Sequence, residues 1–182
     1  MNLTIVLVGA ESTGKTTLAR SLADHYGVPW VTEYARDYLA TRGVRYVEQD
    51  LAHIARGQWR REQSLRRAVD GLLIVDTDWL VIRIWSEVKY GALPAMVSEM
   101  SAEQLRAGAN PSDARRFYLV PRPDIPWAPD PLRENPDDRA QLHARYIAVL
   151  DELHLPYAEL SGTHMQRMAE ARRAITAWLA RT

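Results

Sequence analysis

An α/β fold, a parallel sheet covered by helices on both faces, is what this sequence predicts, and three observations predict it. Residues Leu3–Val8 are apolar apart from Thr4, run into Gly9-x-x-x-x-Gly14-Lys15-Thr16, and then turn helical. Leu72–Val75 is an unbroken apolar run ending at Asp76, the composition of a strand buried on both faces. Before, between and after them, short apolar runs alternate with stretches of helical periodicity, as in the βαβ units that connect parallel strands.

A length of 182 residues and a hydrophobic content of 47% suit one domain, residues 1–182, with a proper core. The 23 basic and 23 acidic residues cancel, which removes the electrostatic case for a nucleic-acid or membrane-surface partner. The chain has no cysteine, so disulfides, thiolate metal sites and cysteine nucleophiles are excluded. No apolar run approaches the roughly 20 residues of a membrane span, and the first residues enter a strand without a charged leader. The expectation is a soluble cytoplasmic protein; the sequence leaves its oligomeric state open.

Taken in order, the helix after the glycine loop carries Leu18, Leu22 and Ala23 on one stripe and stops at Gly27. Val28-Pro-Trp-Val31 predicts a second strand ending at Thr32-Glu33, and a short helix from Tyr34 to about Thr41 precedes Gly43. A longer helix from about Glu48 to Val69 buries Leu51, Ile54, Ala55, Trp59 and Leu65. Its other face carries Arg56, Arg60, Arg61, Arg66 and Arg67, read as solvated in preference to phosphate-binding. The third strand, ending at Asp76, leads to a helix from Trp79 to Tyr90, stopped by Gly91, and to a weaker one from Leu93 to Ala109. Arg116–Val120 is a fourth strand. Seven of the ten prolines fall between Pro111 and Pro136, and the charged, aromatic segment Pro121–Pro136 is too long for a mere connection. A helix from about Asp137 to Leu153, a fifth strand Tyr157–Leu160, the turn Ser161-Gly162-Thr163 and a helix from about Met165 to Ala180 complete the chain.

Ligands of parallel α/β sheets bind past the C-terminal ends of the strands. The expected site is therefore Gly9–Thr17, Glu33, Asp76–Asp78, Pro121–Arg133 and Ser161–Gly162. The first of these is a phosphate-binding loop in strand–loop–helix context. Gly9 and Gly14 permit a tight turn, and Glu11, Ser12, Thr13, Lys15, Thr16 and Thr17 complete the set that surrounds phosphates at a helix start. Lys15 would bridge the β- and γ-phosphates and the Thr16 hydroxyl would ligate Mg²⁺, implying ATP and Mg²⁺. Asp76 can hold that ion through water or position an attacking group. Asp78 either shares this work or caps the following helix. Glu33 can take the proton of an acceptor hydroxyl or pair with Arg36, which in turn can neutralise phosphate or anchor Glu33. The Pro121–Pro136 segment is a lid closing an arginine over the migrating phosphoryl group, or a surface loop stiffened by prolines; Arg133 and Arg122 are its candidates, with Arg139 and Arg145 behind them.

Several of these motifs occur in a telling order: Gly9-Ala-Glu-Ser-Thr-Gly-Lys-Thr-Thr17, Trp30-Val-Thr-Glu-Tyr-Ala-Arg36, Asp50-Leu51, Gly57-Gln58, Asp76-Thr-Asp78, Tyr90-Gly91, and Asp124-Ile-Pro-Trp127 with Asp130 and Arg133. Together they resemble the ribosylnicotinamide kinase domain of NadR-type proteins, from Leu3 to about Arg167. That resemblance implies a P-loop kinase fold, a five-stranded parallel sheet with a lid at about 121–136, and ATP-dependent phosphorylation of the ribose 5′-hydroxyl of nicotinamide riboside. It implies a base at Glu33 or Asp76, a lid arginine at Arg133, and an adenine loop at Ser161–Gly162–Thr163 with Arg167. A pyridinium acceptor suits carboxylates and aromatic faces. Glu33, Tyr34, Arg36, Asp50, Asp78, Trp85, Tyr90 and Trp127 are the candidate acceptor-site residues. NadR-type proteins commonly add an adenylyltransferase domain; this chain starts at the kinase strand, so that activity is not inferred. A kinase for another nucleoside or small metabolite is the second reading. A nucleotide-binding regulatory ATPase is the third, disfavoured because a switch needs neither an acceptor base nor a second pocket.

Overall fold

The chain runs β1 (Leu3–Leu7), α1 (Lys15–Tyr26), β2 (Trp30–Val31), α2 (Tyr34–Arg42), α3 (Glu48–Ala68), β3 (Leu72–Asp76), α4 (Trp79–Tyr90), α5 (Ala95–Gly108), β4 (Arg115–Pro121), α6 (Arg139–Glu152), β5 (Tyr157–Leu160) and α7 (His164–Leu179). These elements belong to a computed structural model that describes residues 2–43, 45–108, 115–130 and 137–180, the side chains of 103–108 excepted. The strands form a five-stranded sheet of order β2-β3-β1-β4-β5. Every pairing is parallel. The predicted α/β class, strand number and strand direction are all present.

Alternation along the strands divides the core. Ile5 and Leu7 join Ile74, Phe117, Leu119 and Leu160 on one face and pack against Leu18 and Leu22 of α1 and Ala171 and Ile175 of α7. Val6 and Val8 join Leu73, Val75, Tyr118 and Val120 on the other, against Leu80 and Ile84 of α4 and Leu142, Tyr146, Val149 and Leu150 of α6. A third cluster, Ala35, Leu39, Leu51, Ile54, Ala55, Ile82 and Val97, holds α2 and α3 to α4 and α5.

Two expectations change. The second strand is Trp30–Val31 alone, shorter at both ends than the expected run from Val28 to Thr32-Glu33; at its start Val28 N–H bonds Ala23 O (3.0 Å) to close the end of α1, and Pro29 has no N–H to give a ladder. The arginine face of α3 is not wholly solvated. Arg66 donates to Gly71 O and Leu3 O, both at 2.8 Å, and Arg61 donates to Thr32 Oγ1 (2.6 Å) and Asp37 (2.7 Å) while its guanidinium lies 4.9 Å from the centre of the Tyr34 ring. These arginines fasten a helix to strand and loop backbone rather than waiting for phosphate.

Tyr34 also explains a helical glycine. A Cβ on Gly57 would sit 2.0 Å from the Tyr34 ring, so α2 and α3 approach at a point that admits no side chain. Gly57→Ala is expected to lower the unfolding free energy by about 1–3 kcal/mol in urea denaturation. Combined with Tyr34→Ala it should cost less than the sum of the two single changes; strict additivity would show that the contact does not set this spacing.

Candidate functional site

The phosphate loop departs from ordinary backbone at Gly9 (φ 137°), Ser12 (φ 54°) and Gly14 (φ 79°). Folding back over it, Lys15 Nζ donates to Gly9 O (2.9 Å) and Ala10 O (2.8 Å). Thr13 Oγ1 donates to Ala10 O (2.9 Å), closing the turn from inside. Helix α1 starts at Lys15, so the first N–H groups of the helix lack intrahelical partners and its positive end lies at the loop. This is a preformed anion cradle.

A cavity of about 500 Å³ opens from the cradle. Gly9–Thr17 line it. So do apolar and aromatic side chains: Ala35 and Leu39 of α2, Val81, Ile84, Trp85 and Val88 of α4, and Leu142 and Tyr146 of α6. Glu33, Arg36 and Asp130 line the same cavity. Arg36 donates to Glu33 (3.0 Å) and to Asp130 (3.0 Å), which joins the end of β2 to the segment after β4. The ion-pair reading of Glu33 and Arg36 is therefore present in the structure, and the carboxylate still lines the cavity. Ala128 N–H donates to Ser12 Oγ (2.9 Å), bringing the same proline-rich segment onto the phosphate loop.

Asp76 ends β3 fully buried, and among the described residues neither carboxylate oxygen closes a hydrogen bond of full geometry. Burial first, and Glu33 second, push its pKa up to about 6, against the opposing pull of the nearby Thr16 hydroxyl, Lys15 and Arg36. A buried carboxylate beside a threonine hydroxyl at a phosphate-binding loop has the hard oxygen donors that suit Mg²⁺.

Asp78, two residues on, has a different place from the acceptor role expected of it. Its carboxylate accepts from Leu80 N (2.9 Å), Tyr118 Oη (3.0 Å) and Arg116 (3.2 Å), and Arg116 also pairs with Glu62. Burial raises its pKa to about 6 in spite of Arg116. It caps α4 and anchors a buried ionic cluster, and it does not line the cavity. Asp50 is likewise structural: it accepts from Val47 N (2.9 Å) at the start of α3 and from Tyr38 Oη (2.7 Å). Tyr34, Tyr90 and Trp127 are not cavity-lining either, whereas Trp85 is. Tyr34 packs on Gly57, Tyr90 belongs to the third core cluster, and Trp127 lies under Arg139, 5.7 Å from its guanidinium.

Arg167, expected against the nucleotide, is buried and spends its donors on the protein. It binds Gly162 O (2.9 Å), Arg122 O (2.9 Å), Thr13 O and the Asp124 carboxylate, while Asp124 accepts from Gly162 N (2.7 Å). It thus fastens the exits of β1, β4 and β5 together. Of the arginines expected on the lid, Arg133 lies outside the described residues. Arg122 pairs with Glu159 (2.9 Å), Arg139 donates to Ile125 O (3.0 Å) and Arg145 pairs with Glu87 (2.6 Å). Among the described residues, Arg36 is the arginine that faces the cavity. Leu39, Val81, Ile84, Val88, Leu142 and Tyr146 were not foreseen there. The spacing 81, 84, 85, 88 was legible as a helical stripe, but such a stripe ordinarily means core.

Parallel strands in this order, with the phosphate loop after the central strand and a partly apolar cavity that this loop helps to line, define a nucleoside kinase-like P-loop fold. The AAA domain family (AAA_28) matches residues 4–167, and the chain belongs to that family. It is 23% identical over 167 residues to the trifunctional NAD biosynthesis/regulator protein NadR of Escherichia coli K12, covering 86% of this chain and 38% of that protein. The resemblance carried by the motifs thus recurs along the chain, which spans well under half of that relative's length. A crystal structure of NadR protein in complex with NR superposes with a TM-score of 0.73 at 22% identity, over 97% of this chain and 50% of that one. Deoxyadenosine kinase from M. mycoides with bound dATP matches over 96% of this chain and all of its own, with a TM-score of 0.62 and 12% identity. No helix among the described residues is long and apolar enough to cross a membrane.

The buried Asp76 gives the site a pH signature. Its native pKa of about 6 exceeds the unfolded value, so the native state binds the proton more tightly and ionisation opposes folding. The penalty is absent below about pH 4, grows between about pH 4 and 6, and is complete above that. In chelator, the stability of Asp76→Asn relative to the unsubstituted chain is expected to improve by about 2–3 kcal/mol from pH 4 to pH 7, read by urea denaturation. A pH-independent difference would refute the raised pKa.

Proposed function

We propose that this chain is an ATP-dependent kinase that phosphorylates the ribose 5′-hydroxyl of nicotinamide riboside, giving nicotinamide mononucleotide, in a cytoplasmic salvage step. The observation that carries the proposal is that the phosphate loop, Glu33, Arg36 and an apolar, indole-bearing set of side chains all line one cavity. A nucleotide switch needs only the first of these; a two-substrate transferase needs the others as well. The likeness to NadR, one of whose structures is a complex with NR, supports nicotinamide riboside as the acceptor.

In this reading Lys15 exchanges the carbonyls of Gly9 and Ala10 for the β- and γ-phosphates, and the N–H groups at the start of α1 hold their oxygens. Thr16 and Asp76 are the residues that would hold Mg²⁺, and the ion when bound neutralises charge on the phosphates. Glu33 is the acceptor carboxylate: it lines the cavity, while Asp76 is fully buried and does not. It receives the hydrogen bond of the attacking hydroxyl and orients it in line, with Arg36 fixing the carboxylate and offsetting charge on the migrating group. Arg133 is the proposed lid arginine. Trp85 offers a face on which a cationic pyridinium ring can lie, and the surrounding aliphatic side chains exclude water.

The likeness to deoxyadenosine kinase over its whole length favours a second reading, in which the acceptor is another nucleoside and the chemistry is unchanged. A panel of nucleosides with MgATP separates the two: nicotinamide riboside is expected to give the highest kcat/KM, and no product from it at millimolar concentration would overturn the first reading. With the preferred acceptor, Glu33→Gln should lower kcat by about 10²–10⁴-fold with little change in ATP affinity. Lys15→Ala should lower it by at least about 10²-fold in a folded protein. Normal turnover in either variant would remove that residue from the mechanism.

A further inference from the structure

We infer that Gln58 is a positioning residue for the proposed phosphoryl transfer: its carboxamide fixes the acceptor carboxylate of Glu33 relative to the metal-side carboxylate of Asp76. Gln58 lies on α3, is 3% exposed, and lines no part of the cavity. Its Oε1 accepts from Tyr34 N (2.7 Å), the residue directly after Glu33 and the first of α2. Its Nε2 donates to Thr77 O (2.8 Å) and, at greater length, to Asp76 O (3.4 Å).

All three partners are main-chain atoms, which settles the orientation of the amide: only its oxygen can face an N–H and only its nitrogen can face a carbonyl. One side chain therefore spans the exits of β2 and β3, where the two carboxylates of the proposed reaction stand. The Thr77 end is also a place where the backbone needs holding. Thr77 has φ 67°, a conformation that β-branched residues avoid. Its N–H is tied to Leu7 O (3.0 Å) on the central strand, and its carbonyl to Gln58. Released from Gln58, the turn keeps one anchor of two, and the start of α2 loses the side-chain acceptor of its first N–H.

Packing does not require an amide at this position. The α2–α3 contact is carried by Ala35, Leu39, Leu51, Ile54 and Ala55, so a side chain of equal length without polar atoms can occupy the same space. What it cannot do is hold two strand exits at a fixed separation. Misplacement of reacting groups by about 1 Å costs about 10²-fold in rate.

The test compares Gln58→Met, which keeps the length and loses both polar ends, with Gln58→Asn, which keeps the amide but is one methylene too short to span. Steady-state kinetics with MgATP and nicotinamide riboside are joined to a thermal-shift titration of Mg²⁺ at fixed ATP, with circular dichroism to establish folding. Both variants are expected to fold, to lose about 10–100-fold in kcat, and to keep KM for ATP within about threefold. The Mg²⁺ concentration that gives half of the ATP-dependent stabilisation should rise several-fold in both. A kcat within twofold of the unsubstituted enzyme, a change confined to KM, or an unaltered Mg²⁺ requirement would overturn the inference. Should the unsubstituted chain prove unable to phosphorylate nicotinamide riboside, the proposed acceptor fails but the Mg²⁺ titration still decides the role of Gln58: a raised requirement upholds it and an unchanged one refutes it.

Discussion

Everything at the site depends on the register of one strand. β1 is hydrogen-bonded on both sides, with Leu7 opposite Asp76 of β3 and opposite Leu119 of β4. The ladder continues one step past each strand, through Thr77 N–H to Leu7 O and Val8 N–H to Leu119 O. The phosphate loop, the turn bearing Asp76 and the segment leading to Asp130 thus leave the sheet nearly level. A shift of one residue would turn Val6 and Val8 to the face of α1 and α7 and expose the wrong side chains to both cores. The register is therefore enforced by burial, and the site inherits its geometry from it. Arg167 adds a second fastening at the same level, joining Thr13, Arg122, Asp124 and Gly162 through one guanidinium.

Two aspartates on one turn show how differently a buried charge can be treated. Asp78 is surrounded by donors from α4 and β4, and its burial is compensated locally. Asp76 is as deeply buried and, among the described residues, has no such shell. A buried carboxylate with few donors costs stability, so its presence calls for a compensating partner. The groups that favour its charged form are Thr16, Lys15 and Arg36, the first two on the phosphate loop, which makes a cation held at that loop a natural source of further compensation.

Much of this was legible in the chain. Gly9–Thr17 announces a phosphate cradle because few residue types permit that turn, and the apolar run before Asp76 can only be a buried strand. Helix ends at Gly27, Gly43 and Gly91 were readable for the same local reason. The apolar lining of the cavity was not. Val81, Val88 and Leu142 are indistinguishable by type from core residues, and Leu142 is one as well; only the packing of α4 and α6 around a cavity gives them a face on it that Leu80 and Val149 lack. Nor could the sequence divide structural from chemical carboxylates. Asp50 and Asp78 have the residue type and the motif context of site groups; what assigns Asp78 elsewhere is a pair of donors remote in sequence, Arg116 and Tyr118, and what assigns Asp50 is the turn that brings Val47 N–H and the Tyr38 hydroxyl onto it.

The brevity of β2 has a consequence for association. A sheet edge is a row of unpaired N–H and C=O groups that another chain can extend. Here one edge is a strand of two residues, beginning just after a proline, and the other is a strand of four. Both are short templates for a neighbour to extend, and brevity is one of the ways by which a sheet edge is kept from open-ended pairing.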